Sequence, residues 1–156
     1  MQFNASTGYA LQIMLYLTKN RRIVSSMELK ENIEISQRYL FQITGKLRSG
    51  GLIETRIGVN GGCALFKEPS LISTYDVIKL MEGGVYIPES VITAVCIKTG
   101  MDDILKLLTE YMKAYFRSMT LNKLTGSEIN EWHAEFTNTI EMHIATLNQK
   151  IVYPLI

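Results

Sequence analysis

Arg38, Gln42 and Lys46 recur every four residues, with Gly45 among them, in the run SQRYLFQITGKLRSGGLI over 36–53. On a helix, at 100° per residue, these positions share one sector, while Leu40, Ile43 and Leu47 take the opposite one. The residue types suit a nucleic acid. Arginine can bond guanine in a bidentate fork, glutamine can do the same with adenine, and Lys46 or Arg48 can neutralise phosphates. A glycine inside a helix costs ~1 kcal/mol relative to alanine, so Gly45 suggests a face that another backbone approaches closely.

The surrounding pattern supplies elements that would position such a face. Ala10, Ile13, Met14 and Leu17 are spaced i, i+3, i+4, i+7, which predicts an amphipathic helix over 5–19 with Asn4 or Ser6 as N-cap. Ser25 and Glu28 form an S-x-x-E capping box opening a short second helix that buries Leu29 and Ile33. After the turn at Glu34-Ile35-Ser36, Ser36 caps the third helix, which Gly50-Gly51 ends. Two short helices joined by a brief turn make a helix-turn-helix. LIETRIGVNGGCALF then alternates, with Ile53, Thr55 and Ile57 on one side and Glu54 and Arg56 on the other, before Asn60-Gly61-Gly62 reverses the chain. This β-hairpin reads as a wing, able to lay Arg56 and glycine backbone against a groove or phosphate.

Ser73 and Asp76 cap a fourth helix containing Val77, Ile78 and Met81. The stretch 85–98 has no clear period and is either a packed loop or a short strand. From Met101, Ile104, Leu108, Tyr111 and Tyr115 are spaced 4, 3, 4 like the seam of a coiled coil, and Leu105 and Met112 widen it. A winged helix already has its own core, so this stripe is assigned to dimerisation. A last helix, 127–149, gathers Ile129, Trp132, Phe136, Ile140, Ile144 and Leu147 on one face, to extend a dimer, wall an effector pocket or build a higher oligomer. The expected architecture is mainly α with a small β-hairpin wing: a winged helix-turn-helix domain (1–84), a connector (85–100) and dimerisation or effector helices (101–156).

Composition limits the function classes. At 156 residues and 47% hydrophobic content the chain can bury a core. No run approaches the ~18 apolar residues of a membrane span and no signal peptide is evident, so a cytoplasmic protein without a membrane partner is expected. The net charge of +1 conceals a division: residues 1–67 hold nine Lys/Arg and four Asp/Glu, the remainder seven and eleven. The first part is suited to a polyanion. Phosphate loops, nucleophile elbows, paired catalytic carboxylates and metal motifs are missing from the pattern, and GVNGG lies between two strands, so an enzyme is not expected. His133 and His143 lie ten apart on the last helix without a close carboxylate pattern and read as packing or surface residues.

GYAL in the first helix, ISQRYLFQITGKLRSGGLI, GVNGGCAL in the wing, STYDVIKLMEG and TLNKL together resemble the Rrf-two family of winged helix-turn-helix regulators, over roughly 1–124. The resemblance implies a homodimer whose third helix enters the major groove, whose wing touches the adjacent minor groove and whose long helix crosses its partner. It places Ser36, Gln37, Arg38, Tyr39 and Gln42 where the family's recognition helix meets DNA, and Asn60, Gly61 and Gly62 at the wing tip. The chain also departs from the family. Tyr39-Leu40-Phe41-Gln42 carries an aromatic where a glutamate able to accept from cytosine is common, and Ser6-Thr7-Gly8-Tyr9 replaces Lys-Gly-Arg-Tyr. Members that bind iron–sulfur clusters carry three closely spaced cysteines before the long helix, whereas that segment here holds Cys96 alone; Cys63, the other cysteine, lies in the wing.

No cofactor and no metal is therefore expected. Cys96 is either a small buried hydrophobe or a redox-sensing thiol. The function expected is a dimeric, sequence-specific transcriptional regulator, a repressor, that binds a double-stranded operator and responds to a small-molecule effector or a redox signal. The alternative is a winged-helix protein-interaction adaptor with no nucleic-acid partner.

Overall fold

The computed structural model describes residues 3–85 and 101–126, and position 138 beyond them; side chains at 101–104 are not among those described. Cys96, the rest of the expected connector apart from Val85, both histidines and the expected helix 127–149 apart from position 138 lie outside this set. The first helix, α1 (Ala5–Asn20), buries Ala10, Ile13, Met14 and Leu17, the expected stripe. It ends where Arg21 turns left-handed (φ 48°) and donates its N–H to the Leu17 carbonyl. At its other end the Asn4 side chain makes no capping bond. Glu82 instead accepts from the Asn4 N–H at 2.9 Å, from Asn4 Nδ2 at 2.7 Å and from the Thr7 hydroxyl.

α2 (Ser26–Ile33) and α3 (Gln37–Ser49) form the helix-turn-helix, with Glu34 left-handed between them at φ 52°. Ser25 accepts from the Glu28 N–H, but the second half of the expected capping box is not made. The Glu28 carboxylate accepts from the Tyr16 hydroxyl at 2.9 Å and from Arg22 Nη1 at 3.0 Å, tying α2 to α1 and the segment after it. Ser36 accepts from the Tyr39 N–H, and α3 buries Leu40, Ile43, Thr44 and Leu47. Gly51, at φ 67°, turns the chain into the wing.

The wing pairs β1 (Ile53–Arg56) with β2 (Gly62–Leu65) antiparallel, in the register Ile53↔Leu65 and Thr55↔Cys63. Val24 bridges Cys63 from outside and anchors the hairpin to the start of the helix-turn-helix. Alternation put Ile57 with Ile53 on one face. In the structure β1 stops at Arg56 and Ile57 is fully exposed, because pairing ends where the chain begins its reversal.

α4 (Thr74–Glu82) carries a complete capping box between Ser73 and Asp76 and ends at Gly83, φ 82°. α5 (Met101–Ser118) leads into the short α6 (Leu121–Thr125). The expected division separated 101–156 from the winged helix. The far end of α5 and all of α6 pack into it instead: Thr74 N–H donates to the Met119 carbonyl at 2.7 Å, Thr74 Oγ1 to the Phe116 carbonyl at 2.8 Å, and the Leu121 N–H to the Ile72 carbonyl at 2.9 Å. Leu121 is completely buried in the same core as Ile13, Leu17 and Leu40. Met1–Thr125 is thus one compact unit, and Gly126–Ile156 groups separately.

Candidate nucleic-acid interface

Because Leu40, Ile43 and Leu47 anchor α3 to the core, the opposite side of the helix is fixed toward solvent. Gln37, Arg38, Gln42, Lys46 and Arg48 are all exposed there. Lys46 and Arg48 occupy the last turn, where their charge also suits the negative end of the helix dipole. Gly45 has nothing within 4 Å of a built Cβ, so no packing within the described chain requires a glycine there. Between α3 and the wing runs an open cleft lined by Phe41, Gly45, Arg48, Thr55, Arg56 and Gly61, among others. Arg48 Nη1 donates to the Thr55 hydroxyl at 3.3 Å and so spans this cleft. Arg56 pairs with Glu54 at 3.3 Å with both side chains exposed. Exposed pairs are worth little, which leaves the guanidinium able to exchange its partner for a phosphate.

The remaining expected contacts divide by position. Ser36 is exposed, but its hydroxyl caps α3. Tyr39 is half-buried and meets Tyr9 edge to face, ring centroids 5.7 Å apart, so its ring belongs partly to the core. Asn60 is exposed, and Gly61 and Gly62 follow it where the loop re-enters the ladder, Gly62 opposite Arg56; both are required there by close backbone. A Cβ on Gly61 would come within 2.4 Å of the Arg56 carbonyl, and one on Gly62 within 2.2 Å of the Val24 carbonyl. The tip itself is Ile57 to Asn60, with Gly58 at φ 121°.

Three exposed apolar side chains on this surface were not among the expected contacts: Phe41, Ile57 and Val59. For Phe41 the sequence held a signal, since it sits one residue beyond Leu40 and therefore about 100° off the core stripe. Cys63, although it lies in the wing, faces inward: it is buried in the core, and burial pushes its thiol above the ordinary cysteine value while the Arg48 charge opposes this. On α5, Leu108 is 48% exposed, Leu107 is also exposed, and Tyr111 and Tyr115 are half-buried. The side chain of Ile104, the first position of that seam, is outside the described set.

A helix-turn-helix whose second helix turns a cationic face outward beside a two-stranded ribbon defines a winged-helix DNA-binding protein. The profile of the Rrf2 family, described as "Iron-dependent Transcriptional regulator", matches residues 3–127. The chain belongs to this family, the Rrf-two family whose motifs it carries. It is similar to the HTH-type transcriptional regulator NsrR of Shouchella clausii, 30% identical over 135 residues that cover 84% of this chain and 91% of that protein. The structure of CymR, the global cysteine regulator of Bacillus subtilis, matches with a TM-score of 0.69 at 26% identity, over 80% of this chain and 96% of that one. The oxidised form of CymR from Staphylococcus aureus matches with a TM-score of 0.65 at 27% identity, over 80% and 96%. These relatives are transcriptional regulators rather than enzymes, and the chain is an Rrf2-type, DNA-binding transcriptional regulator. No helix among the described residues is long and apolar enough to cross a membrane.

The family's description names iron. Iron–sulfur clusters are held by about four ligands, mostly thiolates, and this chain has two cysteines. Cys63 is buried with its thiol pushed toward the protonated form, the opposite of what a ligand needs. Among the described residues no three His, Cys, Asp or Glu side chains stand together as a metal site. The described donor set does not fit a cluster.

Proposed function

We propose that this regulator is a homodimeric repressor that places two copies of α3 in successive major grooves of a roughly palindromic operator, with each wing against the neighbouring minor groove. The observation that carries this reading is the outward face of α3, where Arg38, Gln42 and Lys46 stand clear of the core and continue into the Arg48 and Arg56 cleft beside the wing. Arg38 and Gln42 address base edges, Gln37 and Asn60 lie at the margins of the contact, and Lys46, Arg48 and Arg56 hold phosphates. Ser36 and Tyr39 position the helix, and Gly61 and Gly62 shape the wing. A small ligand bound by the C-terminal part, or oxidation of Cys96, would change the separation of the two reading helices and release the operator.

The test is binding to an operator selected from random duplexes. Arg38→Ala should cost about 1 to 3 kcal/mol on that site and relax preference at one base pair. Lys46→Ala should weaken every duplex alike and lower the salt slope by about one. Wild-type behaviour in both variants would remove α3 from the interface.

A further inference from the structure

We infer that Phe41 is a specificity-determining residue that reads the C5-methyl group of a pyrimidine, thymine in an unmodified operator, through the major groove. The inference rests on the placement of α3 proposed above and adds the base feature that it seeks.

Phe41 is 56% exposed although it lies directly beside the core residue Leu40. A ring left in water at that level forgoes apolar burial that a bound partner could supply. Its surroundings favour a nucleic acid over another apolar partner. The ring sits in the second turn of α3, the end of a reading helix that comes nearest the bases. It shares its cleft with Arg48 and Arg56, and Arg38, Gln42 and Lys46 are exposed on the same helix. An apolar partner surface would have to desolvate that set of cations, whereas a duplex neutralises them with phosphates while offering few apolar groups of its own.

The apolar feature that a base pair presents in the major groove is the C5-methyl of thymine, and phenylalanine contacts it without hydrogen bonding. Gly45, one turn further along the same side, holds no side chain that would keep the ring from descending. The phenyl ring of Phe41 has no hydrogen-bonding group, so it gives no reward to the cytosine amino group and none to guanine. Its preference is therefore for a methyl at one position of each half-site.

The experiment uses the full chain and an operator enriched from random duplexes. Each thymine is replaced in turn by deoxyuridine, which removes one methyl and leaves the pairing edge unchanged. For wild type, one symmetry-related thymine per half-site should show a loss of about four-fold in affinity per methyl, the scale of one buried methyl group. In Phe41→Ala the same replacement should have no effect, and the salt slope should match wild type because no phosphate contact is lost. Placing 5-methylcytosine at that position should recover affinity relative to cytosine for wild type alone. If wild type binds the enriched operator but no deoxyuridine position matters, or if Phe41→Ala keeps the same methyl sensitivity, the inference is overturned while the DNA-binding surface stands. If wild type retains no duplex even at low salt, both fall together.

Discussion

Two glycines near the reading surface carry opposite meanings, and single substitutions separate them. At Gly45 a Cβ meets nothing within 4 Å, so Gly45→Ala should stabilise the fold by about 1 kcal/mol through helix propensity alone. It should also weaken operator binding ten-fold or more if the DNA backbone comes close to that turn. Thermal unfolding and a binding titration on the same preparation decide it; a stabilised variant with unchanged affinity would remove Gly45 from the interface. Gly62 is the reverse case. Its neighbour is the Val24 carbonyl, a backbone atom held by the reciprocal Val24 and Cys63 hydrogen bonds at 2.8 Å. Gly62→Ala must push the hairpin off its anchor and should destabilise the chain by about 2 kcal/mol, the scale of overpacking a core. An unchanged melting temperature would contradict the geometry. Sequence distinguished these glycines poorly: a mid-helix glycine looks anomalous by itself, whereas the role of Gly62 depends on Val24, 38 positions away and invisible to local pattern.

At the scale of elements, what was legible is what local periodicity controls. The stripe of α1, the stripe of α3 and the Ser73 and Asp76 capping box could be read because each depends on residues within one or two turns. What periodicity could not reveal is contact across the chain. Glu82, the last residue of α4, closes the N-terminus of α1 by accepting from Asn4 and Thr7, 78 and 75 positions away. Glu28 was expected to complete a local cap and instead serves Tyr16 and Arg22. The wing is legible as a hairpin, but the end of β1 is not, because alternation continues through Ile57 after pairing has stopped. The Glu82 clamp makes a pH prediction. The Thr7 hydroxyl, then the Asn4 donors, hold its carboxyl below the usual glutamate value against the opposing effect of burial. A carboxyl depressed in the folded state binds fewer protons there than in the unfolded chain, so its contribution is complete above the unfolded value and is lost as pH falls through the folded one. Wild type should therefore lose stability relative to Glu82→Gln on acidification through the carboxylate range, while at neutral pH the variant should be less stable by at most about 1 kcal/mol, since the Asn4 bonds are open to solvent. Parallel melting curves of the two proteins across that range would refute the clamp.

At the scale of the whole molecule, the remaining question is how a chain with one reading helix recognises an operator tightly. A single winged helix contacts one half-site, and linking two copies multiplies affinity because the second contact becomes intramolecular. In the proposed homodimer that link is assigned to α5, whose far end runs into the winged-helix core through Met119 and Leu121 while Leu107 and Leu108 remain exposed further back. This division was only half visible in the sequence. The 4, 3, 4 spacing marked an apolar stripe, but it gave no sign that the C-terminal turn of α5 would be held by Thr74 or that the stripe would be shared between an inner and an outer role. The sharing makes dimerisation testable without the ambiguity of a misfolded variant. Leu108 is already 48% in water, so Leu108→Asp should leave the melting curve of the monomeric unit nearly unchanged. Placed in an apolar seam between two copies, the same carboxylate would be buried without a partner, which costs several kcal/mol and should give monomers at micromolar concentration in sedimentation. Affinity for a two-half-site operator should then fall by 10²-fold or more, while affinity for an isolated half-site stays the same, because coupling is lost and the reading face is untouched. A wild type that is monomeric under these conditions, or a Leu108→Asp variant that remains dimeric and binds the full operator normally, would move the subunit contact away from α5.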